Sequence, residues 1–261
     1  MKVSLITIVN NEIVFDDFKE NLKTQKEVDY ELIPIDNKKN QYNSARIALD
    51  IGAQKAQGDY LIFLHPDIRF LDDLALKSIV DYVRKINDFG VIGVAGCPVT
   101  KGKSQILTTI VQGKNRDKVG SDLKDITRVQ TVDECFFIEK NTYYKNNRFS
   151  KDSGWHLYAV EQCLEALLNG KNNYIIPAHL WHISPGDSEN INYVYSGIRL
   201  INKYGDKFES VNTTVEKWYS KGVRKYYMPW LNFLLHKIKR KLRKNTNLYK
   251  KIQKIYLKYE R

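Results

Sequence analysis

No run of about 18 apolar residues, the length that crosses a bilayer as a helix, occurs in the chain. Met1-Lys2 leads straight into a strand-like segment, so neither a signal peptide nor a spanning helix is expected. Cysteine is scarce. Cys97, Cys135 and Cys163 are widely spaced, odd in number and set among apolar neighbours, which argues against a disulfide or zinc framework and for reduced thiols in a cytoplasm. Two phosphate-binding glycine signatures are also missing: no Gly-x-Gly-x-x-Gly follows the first strand-like segment, and no Gly-x-x-x-x-Gly-Lys-Ser/Thr occurs anywhere. A dinucleotide-binding domain and a P-loop NTPase both lose their main support. A nucleotide can still bind through side chains such as Asp36 and the backbone of Ile8 to Asn11.

Positive charge, by contrast, is in excess and is concentrated. The formal net charge of the 261 residues is +12, yet residues 221–261 alone hold 14 Lys+Arg against the single acid Glu260. The first 220 residues carry 28 basic and 29 acidic side chains and are nearly neutral. The expected organisation is a globular domain over 1–220 followed by a basic tail over 221–261, whose anionic partner need not be the partner of the domain's site.

The globular part reads as alternating strands and helices. Lys2 to Val9 is β-branched and apolar and runs into Asn10-Asn11-Glu12; Phe15 to Thr24 is an amphipathic helix with Phe15, Phe18 and Leu22 on one side. Tyr30 to Ile35 is a second strand ending at Asp36-Asn37. Asn43 to Gln57 is a second helix, with Ala45, Ile47, Ala48, Ile51 and Ala56 at helical spacing. Tyr60 to Leu64 is then a strand buried on both faces, stopped by His65-Pro66-Asp67, because proline cannot continue a ladder. This β-α-β-α-β order predicts a parallel, doubly wound half whose ligands bind beyond the strands' carboxyl ends. An imidazole and a carboxylate two residues apart at such an end can meet one divalent cation.

Further along, the spacing predicts a long helix over 71–87 with Leu74, Ile79, Val83 and Ile86 inward, and a strand over 91–96. A mobile excursion is expected over 101–124, with one strand-like piece at 106–111. Residues 129–139 read as one strand that carries Asp133-Glu134 in an apolar run. A helix follows with Val160, Cys163, Leu164, Leu167 and Leu168 as its stripe, Glu161 near its start and Asn169-Gly170 as its stop. Tyr174 to Ala178 is a last strand, and His179 to Gly186 a histidine-bearing turn.

The segments together resemble the family 2 glycosyltransferases of GT-A fold. The resemblance rests on Val-Ser-Leu-Ile-Thr-Ile-Val-Asn-Asn-Glu, Ile-Pro-Ile-Asp-Asn, Ala56-x-Gly58-Asp59-Tyr60 before Phe-Leu-His-Pro-Asp-Ile, Val132-Asp133, Trp-His-Leu-Tyr-Ala-Val-Glu-Gln-Cys-Leu, and Leu180-x-His182-x-Ser184, over about residues 3 to 190. It implies an α/β fold with a mixed, mostly parallel sheet flanked by helices, and inverting transfer of a sugar from a nucleoside-diphosphate sugar, UDP first. Asp67 matches the last aspartate of the family's metal-binding Asp-x-Asp motif, with His65 where the first usually stands. His182 matches a downstream histidine of the metal or diphosphate site. A divalent Mn2+ or Mg2+ is therefore implied. Val9, Asn11, Glu12, Asp36 and Asn43 fall in the nucleotide-binding segments, together with His65. Glu161 falls at a carboxylate position of the acidic motif and is the expected catalytic base, with His156 as runner-up. Trp155, Tyr158 and Asp133 are expected on the acceptor side. Two rival readings are a sugar nucleotidylyltransferase, whose glycine-rich phosphate loop is missing, and an inactive nucleotide-sugar-binding or scaffold protein, which the altered Asp-x-Asp allows.

In the tail, Leu231, Leu234, Leu235, Ile238 and Leu242, and after Asn245-Thr246-Asn247 also Leu248, Ile252, Ile255, Tyr256 and Tyr259, fall at helical spacing with Lys and Arg opposite. That composition suits helices lying in an anionic membrane surface, which predicts a peripheral enzyme on the cytoplasmic face of the plasma membrane acting on a lipid-linked glycan. The alternative is a pair of helices packed on the domain. Nucleic acid is not expected, since no recognised binding module accompanies the charge.

Overall fold

The computed structural model describes residues 1–184 and 190–244. In chain order these form β1 (Lys2–Val9), α1 (Glu12–Lys23), β2 (Asp29–Asp36), α2 (Ala45–Lys55), β3 (Tyr60–Leu64), β4 (Ile68–Phe70), α3 (Ala75–Arg84), β5 (Ile92–Gly93), β6 (Ala95–Cys97), β7 (Leu107–Thr108), β8 (Val111–Gln112) and β9 (Asp117–Lys118). They continue with β10 (Thr127–Val129), β11 (Thr131–Val132), β12 (Phe136–Lys140), α4 (Asn141–Tyr144), α5 (Tyr158–Leu168), β13 (Asn173–Ile175), β14 (Leu180–His182), α6 (Ile191–Tyr204), β15 (Ser210–Asn212), β16 (Lys217–Tyr219) and α7 (Arg224–Lys244).

The continuous apolar runs of β1 and β3 are covered on both faces, as such runs require. They lie side by side and parallel within a seven-stranded sheet of order β10-β13-β5-β12-β3-β1-β2. Two apolar layers flank it. One gathers Phe15, Phe18 and Leu22 of α1 with Leu76, Ile79 and Val83 of α3. The other gathers Ala45, Leu49 and Ala53 of α2 with Tyr158, Ala159 and Cys163 of α5. The expected parallel half is present in β2-β1-β3. Beyond it, β12 runs antiparallel to both β3 and β5. That antiparallel pairing fixes the site, because it brings the segment that leads into β12 alongside the carboxyl end of β3.

Several boundaries differ from the sequence reading. The long helix over 71–87 is the shorter α3, and Leu74 is 42% exposed at its start. Ile47 is 40% exposed on α2. The strand over 91–96 breaks at Val94 into β5 and β6, which belong to different sheets. Within 101–124 the chain forms three short strands, β7, β8 and β9, rather than a single strand-like piece. The run over 129–139 divides into β10, β11 and β12, with Asp133-Glu134 in the second break. Part of the histidine-bearing turn is a strand, β14, paired with β4 and β8.

Helix α7 packs on α6 and β16. Tyr195 meets Trp230 edge to face at 5.8 Å, and the Asn232 amide donates to Glu216. The tail's second apolar stripe, Leu248 to Tyr259, lies outside the described residues, as do Pro185 and Gly186. No helix among the described residues is long and apolar enough to cross a membrane.

Candidate active site

Strand β3 ends where Pro66 withdraws its backbone donor, and the chain turns through His65 and Asp67 into β4. Buried Arg69 braces that turn: its guanidinium donates to the Pro66 carbonyl at 2.9 Å, to the Val14 carbonyl at 3.1 Å and to the Asp17 carboxylate. Strand β14 is antiparallel to β4 with His182 opposite Ile68, and the Ile183 amide donates to the Asp67 carbonyl at 3.0 Å. This pairing sets His182 Nε2 3.4 Å from Asp67 Oδ1. One ligand atom from each of His65, Asp67 and His182 lies within 4.8 Å of the others, so three residues expected from the sequence at a cation site converge.

Asp67 and His182 shift one another towards their charged forms. Burial pushes the Asp67 carboxyl up, but the His182 hydrogen bond and the neighbouring imidazoles outweigh it and hold the group at about 2. His65 is held below the usual histidine range, chiefly by burial and also by the His182 charge. His182 is raised: burial lowers it, but Asp67 and then Asp133 more than compensate. Two imidazoles with one carboxylate suit a divalent transition cation better than Mg2+, which takes oxygen ligands. Behind His65, the ring Nε2 lies 3.1 Å from the Tyr158 hydroxyl, an outer partner of the kind that orients a metal-binding imidazole.

The cluster opens into a cavity of about 440 Å³ whose wall includes His65, Asp133, Glu134, His156, His182 and Tyr193. Asp133 is an expected site residue and is present in the wall; Thr214 and the Cys135 amide donate to its carboxylate, and these bonds, against burial, keep it ionised. Glu134 is a residue the sequence reading left without a role. Its Oε1 accepts from the Tyr158 amide at 2.6 Å, capping α5 where Leu157 sits at φ +62°, and burial and the Asp133 charge push its carboxyl up to about 8. The signal available in sequence was an acidic pair interrupting an apolar strand. His156 also faces the cavity, its ring edge-on to Tyr193 at 5.6 Å, and burial holds its imidazole below the usual range and therefore neutral at pH 7.

Other expected residues lie elsewhere. Glu161, expected to be the base, is 3% exposed. Its Oε2 accepts from Arg46 Nε at 2.7 Å and Ser150 at 3.0 Å, and its Oε1 from Lys203 at 2.7 Å and Tyr204 at 3.3 Å. Burial would raise this carboxyl, but Arg46 and Lys203 outweigh it and hold it low, so Glu161 is engaged in a buried ion-pair network apart from the cavity that holds His65 and His182. Tyr158 is buried and supports His65; Trp155 packs against the apolar layer of α2 and α5. His179 pairs with Asp72 on the surface, 2.9 Å away, apart from the cluster. Val9 is buried at the end of β1, opposite Asp36 at the end of β2. Asn11 caps α1, Glu12 and Asp36 share Lys38, and Asn43 is exposed with its carbonyl on the Gly154 amide. These five stand at or just after the carboxyl ends of the parallel strands β1 and β2.

The sequence profile described as Glycosyltransferase like family matches residues 4–201. The chain belongs to that family, among the family 2 glycosyltransferases. Its fold is that of the GT-A members. S. aureus TarS 1-349 in complex with UDP-GlcNAc is similar, with a TM-score of 0.57 at 13% identity over 78% of this chain and 66% of that one. A mannosyltransferase from Pyrobaculum calidifontis, PcManGT in complex with GDP-Man and Mn2+, gives 0.50 at 10% identity over 78% and 61%. A curated relative, "ATP synthase subunits region ORF 6" of Fuscovulum blasticum, is 28% identical over 138 residues. This glycosyltransferase-family chain thus spans about half the length of that relative, and the matched stretch is 49% of its own.

Proposed function

We propose that the protein transfers a sugar from a nucleoside-diphosphate sugar to an acceptor hydroxyl with inversion at C1. The observation that carries this reading is the convergence of His65, Asp67 and His182 at the carboxyl end of β3, facing a cavity lined by carboxylates. These three residues would hold a divalent cation, with Mn2+ the first candidate, which supplies charge stabilisation for the departing diphosphate. The donors bound by the two similar structures, UDP-GlcNAc and GDP-Man, support a nucleotide sugar as the ligand class. Val9, Asn11, Glu12, Asp36 and Asn43 remain our nucleotide-side assignment, and Asp133 our acceptor-side one.

The proton of the acceptor hydroxyl goes to Glu134 in this reading. Its carboxylate lies in the cavity wall, and a base with a pKa near the working pH is the efficient one. His156 is the second candidate, because a neutral imidazole in the same wall can also accept a proton. Glu134→Gln should keep UDP affinity and lower kcat about 10²- to 10⁴-fold, the scale of general-base catalysis. His156→Gln should cost less than about tenfold. The reverse pattern transfers the role to His156. Transfer or hydrolysis of a labelled nucleotide sugar tests the reading as a whole and separates it from a binding-only protein.

The acceptor we favour is a glycan on a lipid carrier, met at the cytoplasmic face of an anionic membrane. The exposed apolar side chains of α7 include Trp230, Leu231, Leu234, Leu235 and Ile238, between 41% and 54% exposed. They lie in a segment, 221–261, with 14 basic residues and one acid. Apolar burial combined with attraction to anionic lipid is the binding mode such a face supports, and it sets residues 221–261 apart functionally from 1–220.

A further inference from the structure

Helix α7 lies beyond residues 4–201, where the family match ends, yet it reaches the reaction cavity: His236 and Arg240, one turn apart, complete the wall that also contains His65 and His182. A step of two residues turns about 200° around a helix. Leu234 and Ile238, two residues before His236 and Arg240 respectively, therefore sit on nearly the opposite face, and both are exposed. One helix thus turns His236 and Arg240 to the cavity and an apolar face outward.

These two faces are separated by about 10–12 Å, the thickness of a helix with its side chains. An interfacial helix buries its apolar side about 5–10 Å into the headgroup boundary. With α7 in that position, Arg240 and His236 lie at the depth of lipid phosphates. A guanidinium is the side chain best shaped to grip a phosphate through two parallel hydrogen bonds. The donor diphosphate is assigned above to the His65–Asp67–His182 cluster, so a second anion in the cavity would meet Arg240 and His236. We propose that α7 forms an acceptor-phosphate subsite, in which Arg240 and His236 hold the phosphate of a lipid-linked acceptor while the helix's other face lies in the membrane. The inference rests on the transferase reading above and adds the anionic character of the acceptor.

The test uses the full chain in its wild-type form and as Arg240→Gln, Arg240→Lys and His236→Gln, each checked for a native circular dichroism spectrum. Two bindings are measured: co-sedimentation with phosphatidylcholine vesicles doped with farnesyl diphosphate or with the same charge of phosphatidylserine, and calorimetric titration of UDP with Mn2+. Farnesyl diphosphate should tighten wild-type vesicle binding about tenfold beyond phosphatidylserine of equal charge, the effect of one good charge-assisted contact. Arg240→Gln should abolish that gain, Arg240→Lys should retain part of it, and UDP affinity should stay unchanged. If Arg240→Gln does not fold, the lysine and His236→Gln variants carry the test. A wild type that binds both kinds of vesicle equally, or variants that keep the full gain, would overturn the subsite. Loss of UDP affinity with the gain intact would assign the cations to the donor and likewise overturn it. Failure of wild-type UDP binding is a separate result that counts against the transferase reading itself.

Discussion

Glu161 shows how far a residue's role depends on partners remote in sequence. Its place in the first turn of α5 was legible, but Arg46 is 115 positions away and Lys203 is 42, and no local pattern announces either. The pair Arg46–Glu161 is buried on both sides, so removing one charge strands the other. Glu161→Gln should therefore destabilise the fold by about 3 kcal/mol in urea denaturation at pH 7 while transfer per folded molecule survives. The sign with pH follows from the direction of the shift. Because the folded-state pKa lies below the ordinary 4.5, the carboxylate's contribution is present above that value and is lost as the pH falls through the folded pKa. The difference between wild type and Glu161→Gln should accordingly shrink in acid. A variant as stable as wild type at pH 7 but unable to transfer would restore Glu161 as the base. His65, Asp67 and His182 were readable because a proline-terminated strand announces a sheet end, and the downstream Leu-x-His-x-Ser carries the third member. Glu134 was not, since its role depends on a backbone amide of α5.

At the scale of elements, the long apolar strands and amphipathic helices were legible because each follows a single period over many residues. The pieces that failed were those whose partners change along the run. Residues 129–139 satisfy one apolar pattern but serve three strands in two sheets, and the breaks are set by which neighbour each piece meets. The contact between α6 and the β15–β16 hairpin was equally hidden. It rests on Gly197, where an added Cβ would stand 2.0 Å from the Trp218 ring, itself 1% exposed. A buried indole cannot move aside as a surface lysine can. Gly197→Ala should cost about 1–3 kcal/mol, the range for an overpacked core, and thermal unfolding would register it as a lowered Tm. An unchanged Tm would mean that α6 slides freely over Trp218.

For the whole molecule, charge and shape are divided between two regions. The near-neutral 1–220 holds the sheet and the cation cluster, and the basic 221–261 contributes a helix that touches the cavity on one face and exposes apolar side chains on the other. Because α7 packs on α6, its charge is better tested by substitution than by removal. Lys237→Gln with Lys241→Gln should weaken binding to anionic vesicles, and raising ionic strength should do the same to wild type, since screening shortens from about 10 Å at 0.1 M to about 3 Å at 1 M. Salt-independent binding would point to apolar insertion alone.

Calorimetric titration of UDP into the wild-type chain and Asp67→Ala, each with Mn2+ and with EDTA, decides whether the proposed cation site of His65, Asp67 and His182 holds a nucleoside diphosphate. Wild type should bind in Mn2+ and lose at least about tenfold in EDTA, and Asp67→Ala should show the same loss whether metal is present or not. UDP affinity that ignores both EDTA and the Asp67 substitution would contradict it.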